Sequence, residues 1–242
     1  MNEKPETLSH YTSIPALLYI LSKGKIVFGD PDKWEDRTDV KALEYVLKHI
    51  TSKSKDKNIN IRALCLTNFP EDMYDNILHW KIYTPEKAGC RIDFDMKLLE
   101  EAVNKSKAKM KEVEYLSSKA IKEKLKGKSE YSPIDTSFIK HKSYSFENEW
   151  RIIWFGKAKI FRLNISKFLK KGIIKKVKFS SDLPEAVAKN LRSILKKENG
   201  KIKFEHSQIS SNPSWLQIVK KIIDKSVCNT SLSHSENPKN SG

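Results

Sequence analysis

The chain has 242 residues, 38% hydrophobic and 10% aromatic, enough for one substantial core and too few for two comfortable enzyme domains. Lys and Arg number 46 against 30 Asp and Glu, a formal net charge of +16, which favours anionic partners such as nucleic acid, nucleotides or acidic proteins. Only eight glycines are present, with no P-loop and no GxGxxG, so ordinary ATPase and Rossmann chemistry are set aside. Cys65, Cys90 and Cys228 form no CxxC and no zinc spacing with a histidine. His49, His141 and His206 show no metal spacing to one another, so no metal is expected. The start, MNEKPETLSHY, lacks the apolar core of a signal peptide, and no window approaches a membrane span. The expectation is a reduced, cytoplasmic protein without membrane partners.

Taken in chain order, TSIPALLYILSKGK predicts a helix. Thr12 or Ser13 can cap it, Pro15 suits its first turn, Ile14, Leu17, Leu18 and Leu21 form its apolar face, and Gly24 closes it. KIVFG reads as a short strand, DPDKWEDRTD as a polar turn, and Ala42, Leu43, Val46, Leu47 and Ile50 mark a second helix. IRALCLT reads as a buried strand, DMYDNILHWKIY as a helix with Met73, Ile77, Trp80 and Tyr83 on one side, and GCRIDFD as an alternating strand leading into a helix at Leu98, Leu99 and Val103. Lys105 to Lys128 is the most basic stretch, read as helical with a short strand near Val113–Leu116.

FENEWRIIWFG, Phe146 to Gly156, reads as one strand. Alternation would then set Glu147, Glu149 and Arg151 on one face with Ile153 and Phe155, and Phe146, Asn148, Trp150, Ile152 and Trp154 on the other. A strand this apolar does not bury two carboxylates and a guanidinium unless they are paired or used. KIFRLNI is the expected hairpin partner, with Gly156 in the turn. A strand from Ile173 to Phe179, a helix from about Leu183 to Leu195 and a last strand, KIKFEH, follow. Residues 1–225 are expected to form one α+β domain with split or mixed antiparallel sheets and flanking helices, and 226–242 a disordered tail.

Three islands stand out: SHYTS…ILSKGKIVFGDPDKWED, CLTNFPEDMYDNILHWKIYTPEKAGCRIDFD and FENEWRIIWF. Their order and spacing resemble a bacterial family, the domain of unknown function 2971, over roughly residues 8 to 215. The chain departs from that pattern where Trp34-Glu35-Asp36-Arg37 replaces aromatic-Asn-Asp-Pro, and where Leu66 replaces an aromatic. The family in turn is similar to ADP-ribosyltransferases, whose E-x-E strand Glu147-Asn148-Glu149 resembles. That resemblance implies an ADP-ribosyltransferase-like fold, NAD as substrate, cleavage of the nicotinamide–ribose bond, and a toxin or phage-defence role.

On the same resemblance, Glu149 and Glu147 are the catalytic candidates. Glu149 would bind the ribose 2-hydroxyl and face the cation that develops on the sugar; its structural alternative is an ion pair with Arg151. Glu147 would orient or deprotonate the acceptor, or else be a solvated strand end. Arg151 would hold a pyrophosphate, or only pair with Glu149. His10, at the end of the first strand, would donate to a ribose hydroxyl, or pack as an ordinary side chain. Thr67 and Tyr83 compete for the role of the Ser/Thr or Tyr that such enzymes carry on a middle element. Tyr11, Thr12, Trp80 and Asp36 complete the binding candidates, with a core ring, a helix cap, a core aromatic and a turn carboxylate as their alternatives. Nucleic acid or another anion is the expected acceptor. The competing reading is a non-enzymatic module that binds nucleic acid or a nucleotide, with Lys105–Lys128 as its docking surface.

Overall fold

In a computed structural model of the chain, the described residues are 4–69, 76–84, 88–126, 132–209 and 216–221. The elements run β1 (Thr7–Ser13), α1 (Ile14–Lys23), β2 (Lys25–Val27), α2 (Arg37–Lys53), β3 (Asn60–Thr67), α3 (Ile77–Tyr83), β4 (Gly89–Asp95) and α4 (Met96–Asn104). Then come β5 (Lys109–Glu112), β6 (Glu114–Leu116), α5 (Ser118–Lys126), β7 (Ile139–His141), β8 (Glu149–Gly156), β9 (Arg162–Asn164), α6 (Ser166–Leu169), β10 (Ile174–Phe179), α7 (Glu185–Glu198) and β11 (Lys203–His206). β1 passes directly into α1 because Ser13 caps it: the hydroxyl accepts from the Ala16 N–H at 3.2 Å, with Pro15 in the first turn. Gly24 ends that helix at φ 60°, a left-handed conformation that favours glycine.

Seven strands form one sheet in the order β11-β10-β4-β1-β3-β8-β5. Every neighbour is antiparallel except β10 with β11. This is the expected mixed, largely antiparallel α+β architecture. The pleat divides it into two unlike faces. Leu8, Leu64, Leu66, Ile92, Phe94, Trp150, Ile152, Val177 and Phe179 are buried in one large core with Leu17 and Ile20 of α1, Leu99 and Val103 of α4, and Ala188 and Leu195 of α7. The register fixes the other face. Ser9 lies opposite both Thr67 and Asp93, Tyr11 opposite Arg91, Cys65 opposite Arg151, and Thr67 opposite Glu149. At one end of this face, Leu43 of α2, Ile61, Ala63, Phe138 and Ile153 make a small second core.

Four expectations are corrected. KIFRLNI is not the hairpin partner of β8: β9 pairs with β2, because both edges of β8 are already taken by β3 and β5. Phe146–Asn148 are not strand. Residues 142–147 form a 3-10 helix, Asn148 takes a left-handed conformation at φ 44°, and β8 starts only at Glu149. His10 sits in mid-β1, not at its end. The basic stretch 105–126 is two short strands and a helix rather than mainly helix, and 127–128 lie outside the described residues, as does the expected tail.

Candidate functional site

The polar face gathers its charges where α2, α3 and residues 139–147 cover β3 and β8. Arg151 is the anchor, with no exposed surface. Its Nε donates to Glu149 Oε1 at 2.7 Å and Nη2 to Glu149 Oε2 at 2.9 Å. The other edge of the guanidinium donates to Asp39, Nη1 to Oδ1 at 3.1 Å and Nη2 to Oδ2 at 2.7 Å. Nη1 also donates to the Ser137 carbonyl at 3.0 Å. All five guanidinium N–H groups are thereby used inside the protein, and the Trp34 ring covers the plane at 5.3 Å. Arg151 is thus paired with Glu149, as its structural alternative has it, and with Asp39 as well.

Glu149 shares that fate. Burial pushes its carboxyl up, but Arg151 and then Lys140 overcome burial and hold it well below the usual range. Its backbone N–H donates to the Tyr115 hydroxyl at 2.9 Å.

Glu147 lies on the far side of the Asn148 turn, and its environment differs. It is not a solvated strand end, being 6% exposed. The Tyr83 hydroxyl donates to Oε1 at 2.8 Å, and Lys140 Nζ donates to Oε2 at 2.7 Å. Burial raises its pKa, Lys140 opposes, the nearby Glu149 charge adds to the rise, and the net direction is upward. Its carbonyl accepts from Thr67 Oγ1 at 2.6 Å and from His79 Nε2 at 3.2 Å. Two chain segments thus fix the carboxylate, and β3 and α3 fix the backbone carbonyl of the same residue.

Lys140 Nζ is the second cation of the cluster. Beyond Glu147 it lies 3.4 Å from Glu149, 3.7 Å from Asp39 and 3.8 Å from Asp36. Burial lowers its pKa, the carboxylates more than reverse this, and the ammonium stays charged. Four carboxylates therefore face two cations, Lys140 and Arg151, and the cluster carries an excess of negative charge.

The remaining candidates distribute as follows. Asp36 caps α2, its Oδ1 accepting from the Thr38 and Asp39 N–H groups at 3.0 and 3.2 Å, while Oδ2 is buried without a hydrogen bond. Tyr11 packs edge-on to Trp80 at 5.0 Å and beside His79 at 5.5 Å. Trp80 is a core aromatic, 5% exposed. Thr12 pairs with Cys90 along β1 and is not the cap, which is Ser13. His10 donates from Nδ1 to the Cys65 carbonyl at 2.9 Å. Burial lowers its pKa against that bond, and among the described residues nothing ties it to the carboxylates. Thr67 and Tyr83, expected to compete for one role, both reach Glu147, one at its carbonyl and one at its carboxylate. The site thus brings together Asp36, Thr67, Tyr83, Glu147, Glu149 and Arg151, with Tyr11 and Trp80 beside them, and leaves His10 and Thr12 apart.

Asp39, Lys140 and His79 belong to the cluster and were not anticipated. Asp39 had a readable signal: it falls at i, i+4, i+7 with Leu43 and Val46 on the buried stripe of α2. Lys140, alone in a three-residue strand, had none. Among the described residues no group of three or more His, Cys, Asp or Glu is arranged to hold a metal, and no helix is long and apolar enough to cross a membrane.

A family model described as "Protein of unknown function (DUF2971)" matches residues 79–152. That span contains His79, Tyr83, Lys140, Glu147, Glu149 and Arg151. Among solved structures, the chain is similar to the DarT of Thermus sp. 2.9, solved in complex with NAD+, at 11% identity and a TM-score of 0.38, over 86% of this chain and 98% of that one. No curated protein matches the chain.

Proposed function

We propose that residues 1–225 form one NAD-consuming domain of the ADP-ribosyltransferase type, and that Glu147 rather than Glu149 is its reactive carboxylate. One observation carries this reading. Glu149 is committed to Arg151 through both oxygens, whereas Glu147 has an upward-shifted pKa and sits one side chain from solvent, beneath Tyr83, which is 37% exposed. Cleaving the nicotinamide–ribose bond moves positive charge onto the ribose ring, and a carboxylate fixed beforehand stabilises that charge as it develops. The surplus of negative charge in the cluster acts in the same sense. A raised pKa also suits Glu147 to take the proton of an attacking hydroxyl or water. Glu149, Asp39 and Arg151 are positioning residues in this scheme. NAD is the substrate to test because the E-x-E segment resembles that of those enzymes.

With a net charge of +16, an anionic acceptor such as nucleic acid fits, and its binding would weaken steeply with salt. If water is the acceptor instead, a cell expressing the chain loses NAD and stops growing, in keeping with a toxin or phage-defence role. The test is direct. Purified protein incubated with NAD should release nicotinamide, with the ADP-ribose found free or on an added acceptor. No release under any acceptor condition sinks the proposal and leaves the anion-binding module as the better reading.

A further inference from the structure

The turn that divides Glu149 from Glu147 is held by its backbone, and the groups that hold it can be followed one by one. The Glu147 carbonyl accepts from Thr67 and His79. The Asn148 N–H donates to the Ser145 carbonyl at 3.3 Å, and the Asn148 carbonyl accepts from the Asn68 N–H at 2.9 Å. The Glu149 carbonyl accepts from the Val113 N–H at 2.9 Å. In a regular antiparallel ladder two residues so opposed exchange both bonds, and the Val113 carbonyl would take the Glu149 N–H in return. Here that N–H goes to the Tyr115 hydroxyl at 2.9 Å. The chain leaves β8 at the end of β5 and runs on as β6, whose partner is β7. A side chain two residues further on thus takes the place of the ladder carbonyl. Tyr115 lies opposite Lys140 in the β6–β7 pair, and Lys140 reaches Glu147 Oε2 at 2.7 Å. One ribbon outside the main sheet therefore sends two side chains to the same turn, one to its backbone and one to its carboxylate.

We propose that Tyr115 is a positioning residue: by standing in for the ladder carbonyl it fixes where β8 begins, holds the Asn148 turn, and thereby keeps the Glu147 carboxylate between Tyr83 and Lys140. This deepens the reading of the preceding subsection and rests on it for the reaction that Glu147 serves. A left-handed residue other than glycine is disfavoured in itself, so its neighbours must keep the turn in place. The Glu149 side chain needs no such help, because Arg151 grips both its oxygens. Loss of the Tyr115 hydroxyl is therefore felt on the Glu147 side of the turn. Burial pushes the phenol of Tyr115 up, the bond from the Glu149 N–H opposes, and the Glu149 and Glu147 charges add to the rise. The hydroxyl therefore stays neutral at any pH at which the carboxylates titrate, and its bond to the strand does not change with them.

Tyr115→Phe keeps the ring and removes the hydroxyl. By hydrogen exchange, the Glu149 amide should exchange about tenfold faster or more in the variant, with the Ile152 amide unchanged. In a carbon-13 titration of the side-chain carboxyls, wild-type Glu147 should titrate above an ordinary glutamate. In the variant it should move back toward the ordinary value, as water reaches a loosened carboxylate. For nicotinamide release, kcat should fall by about tenfold while KM for NAD stays within about twofold. An unchanged Glu149 amide overturns the inference. So does an unmoved Glu147 titration, or a variant whose kcat equals that of an active wild type. Should the variant not fold, the wild type decides alone: a Glu149 amide that exchanges as fast as those of exposed loops overturns the inference, and a protected one upholds it. If amide and titration respond as expected while neither protein releases nicotinamide, the positioning of Glu147 by Tyr115 stands and the proposed function falls.

Discussion

Arg151 and Glu147 are four residues apart and share one charged cluster, yet they are built on opposite plans. Around Arg151 every donor is matched: five N–H groups meet two bidentate carboxylates and a carbonyl, under a tryptophan ring, with no water-facing surface. Around Glu147 the balance is left open. Its carboxylate has one ammonium and one phenol, its pKa is pushed up, and the tyrosine that supplies the phenol is partly exposed. Closure of polar valences is what a fold needs from a buried charge. Incomplete closure beside a surface ring is what a reacting group needs. Under the proposed function, the two sides of one left-handed residue, Asn148, supply a brace and a reagent.

The largest expected effect lies on the brace. Arg151→Met leaves the buried Glu149 and Asp39 with only Lys140, at 3.4 and 3.7 Å, as a counter-charge shared with Glu147, and unfolding in urea should show a loss of about 3–5 kcal/mol. A loss below about 1 kcal/mol would mean that water reaches both carboxylates and that the brace is not sealed.

Acid should reveal the same asymmetry. Glu149 has a folded pKa below its unfolded one, so its contribution is present above about 4.5 and is lost as pH falls toward about 2. Glu147 has the opposite sign: its raised folded pKa favours the protonated form, so its ionisation costs stability as pH rises through that value. Wild-type melting temperature should therefore fall on acidification across the Glu149 window, and Glu149→Gln should flatten that limb. An unchanged limb in the variant would place the acid sensitivity elsewhere.

Lys140 opposes burial at Glu147. Lys140→Met should therefore move the acidic limb of the pH–rate profile upward, by about one pH unit or more. An unmoved limb would show that Glu147 does not set the profile.

The smallest effect concerns the divider. Asn148 holds φ 44° at an exposed position, so Asn148→Ala should cost about 1 kcal/mol. Asn148→Gly should leave stability nearly unchanged. Equal stability of the alanine variant would show that the turn is not held left-handed in solution.

How far the sequence foretold this arrangement depends on the kind of signal. α1, β3 and β4 were readable from their period, and α1 also from its caps, Ser13, Pro15 and Gly24. The three charges of FENEWR were readable as a problem, since an apolar strand must satisfy them. Their solution was not, because Asp39 comes from α2 and Lys140 from β7, more than a hundred and about ten residues away respectively from Arg151. Alternation also misplaced Glu147: it reaches the cluster through a 3-10 turn and a left-handed asparagine, which no period-two pattern describes. The β9 error has the same root. A hairpin is the natural guess from adjacency, and only the occupancy of both β8 edges excludes it. His79 was hidden by its neighbour Trp80, whose apolar bulk suggests a core helix face, and the two are in fact both buried there.

Nicotinamide release from NAD, compared between wild type and Glu147→Gln at matched folded fraction, tests the division between brace and reagent most directly. Four carboxylates face two cations in the cluster, so neutralising Glu147 still leaves Lys140 and Arg151 fully partnered. The glutamine variant should melt no lower than the wild type near neutral pH while its turnover falls by about a hundredfold or more. A well-folded Glu147→Gln protein that releases nicotinamide at the wild-type rate would contradict the assignment.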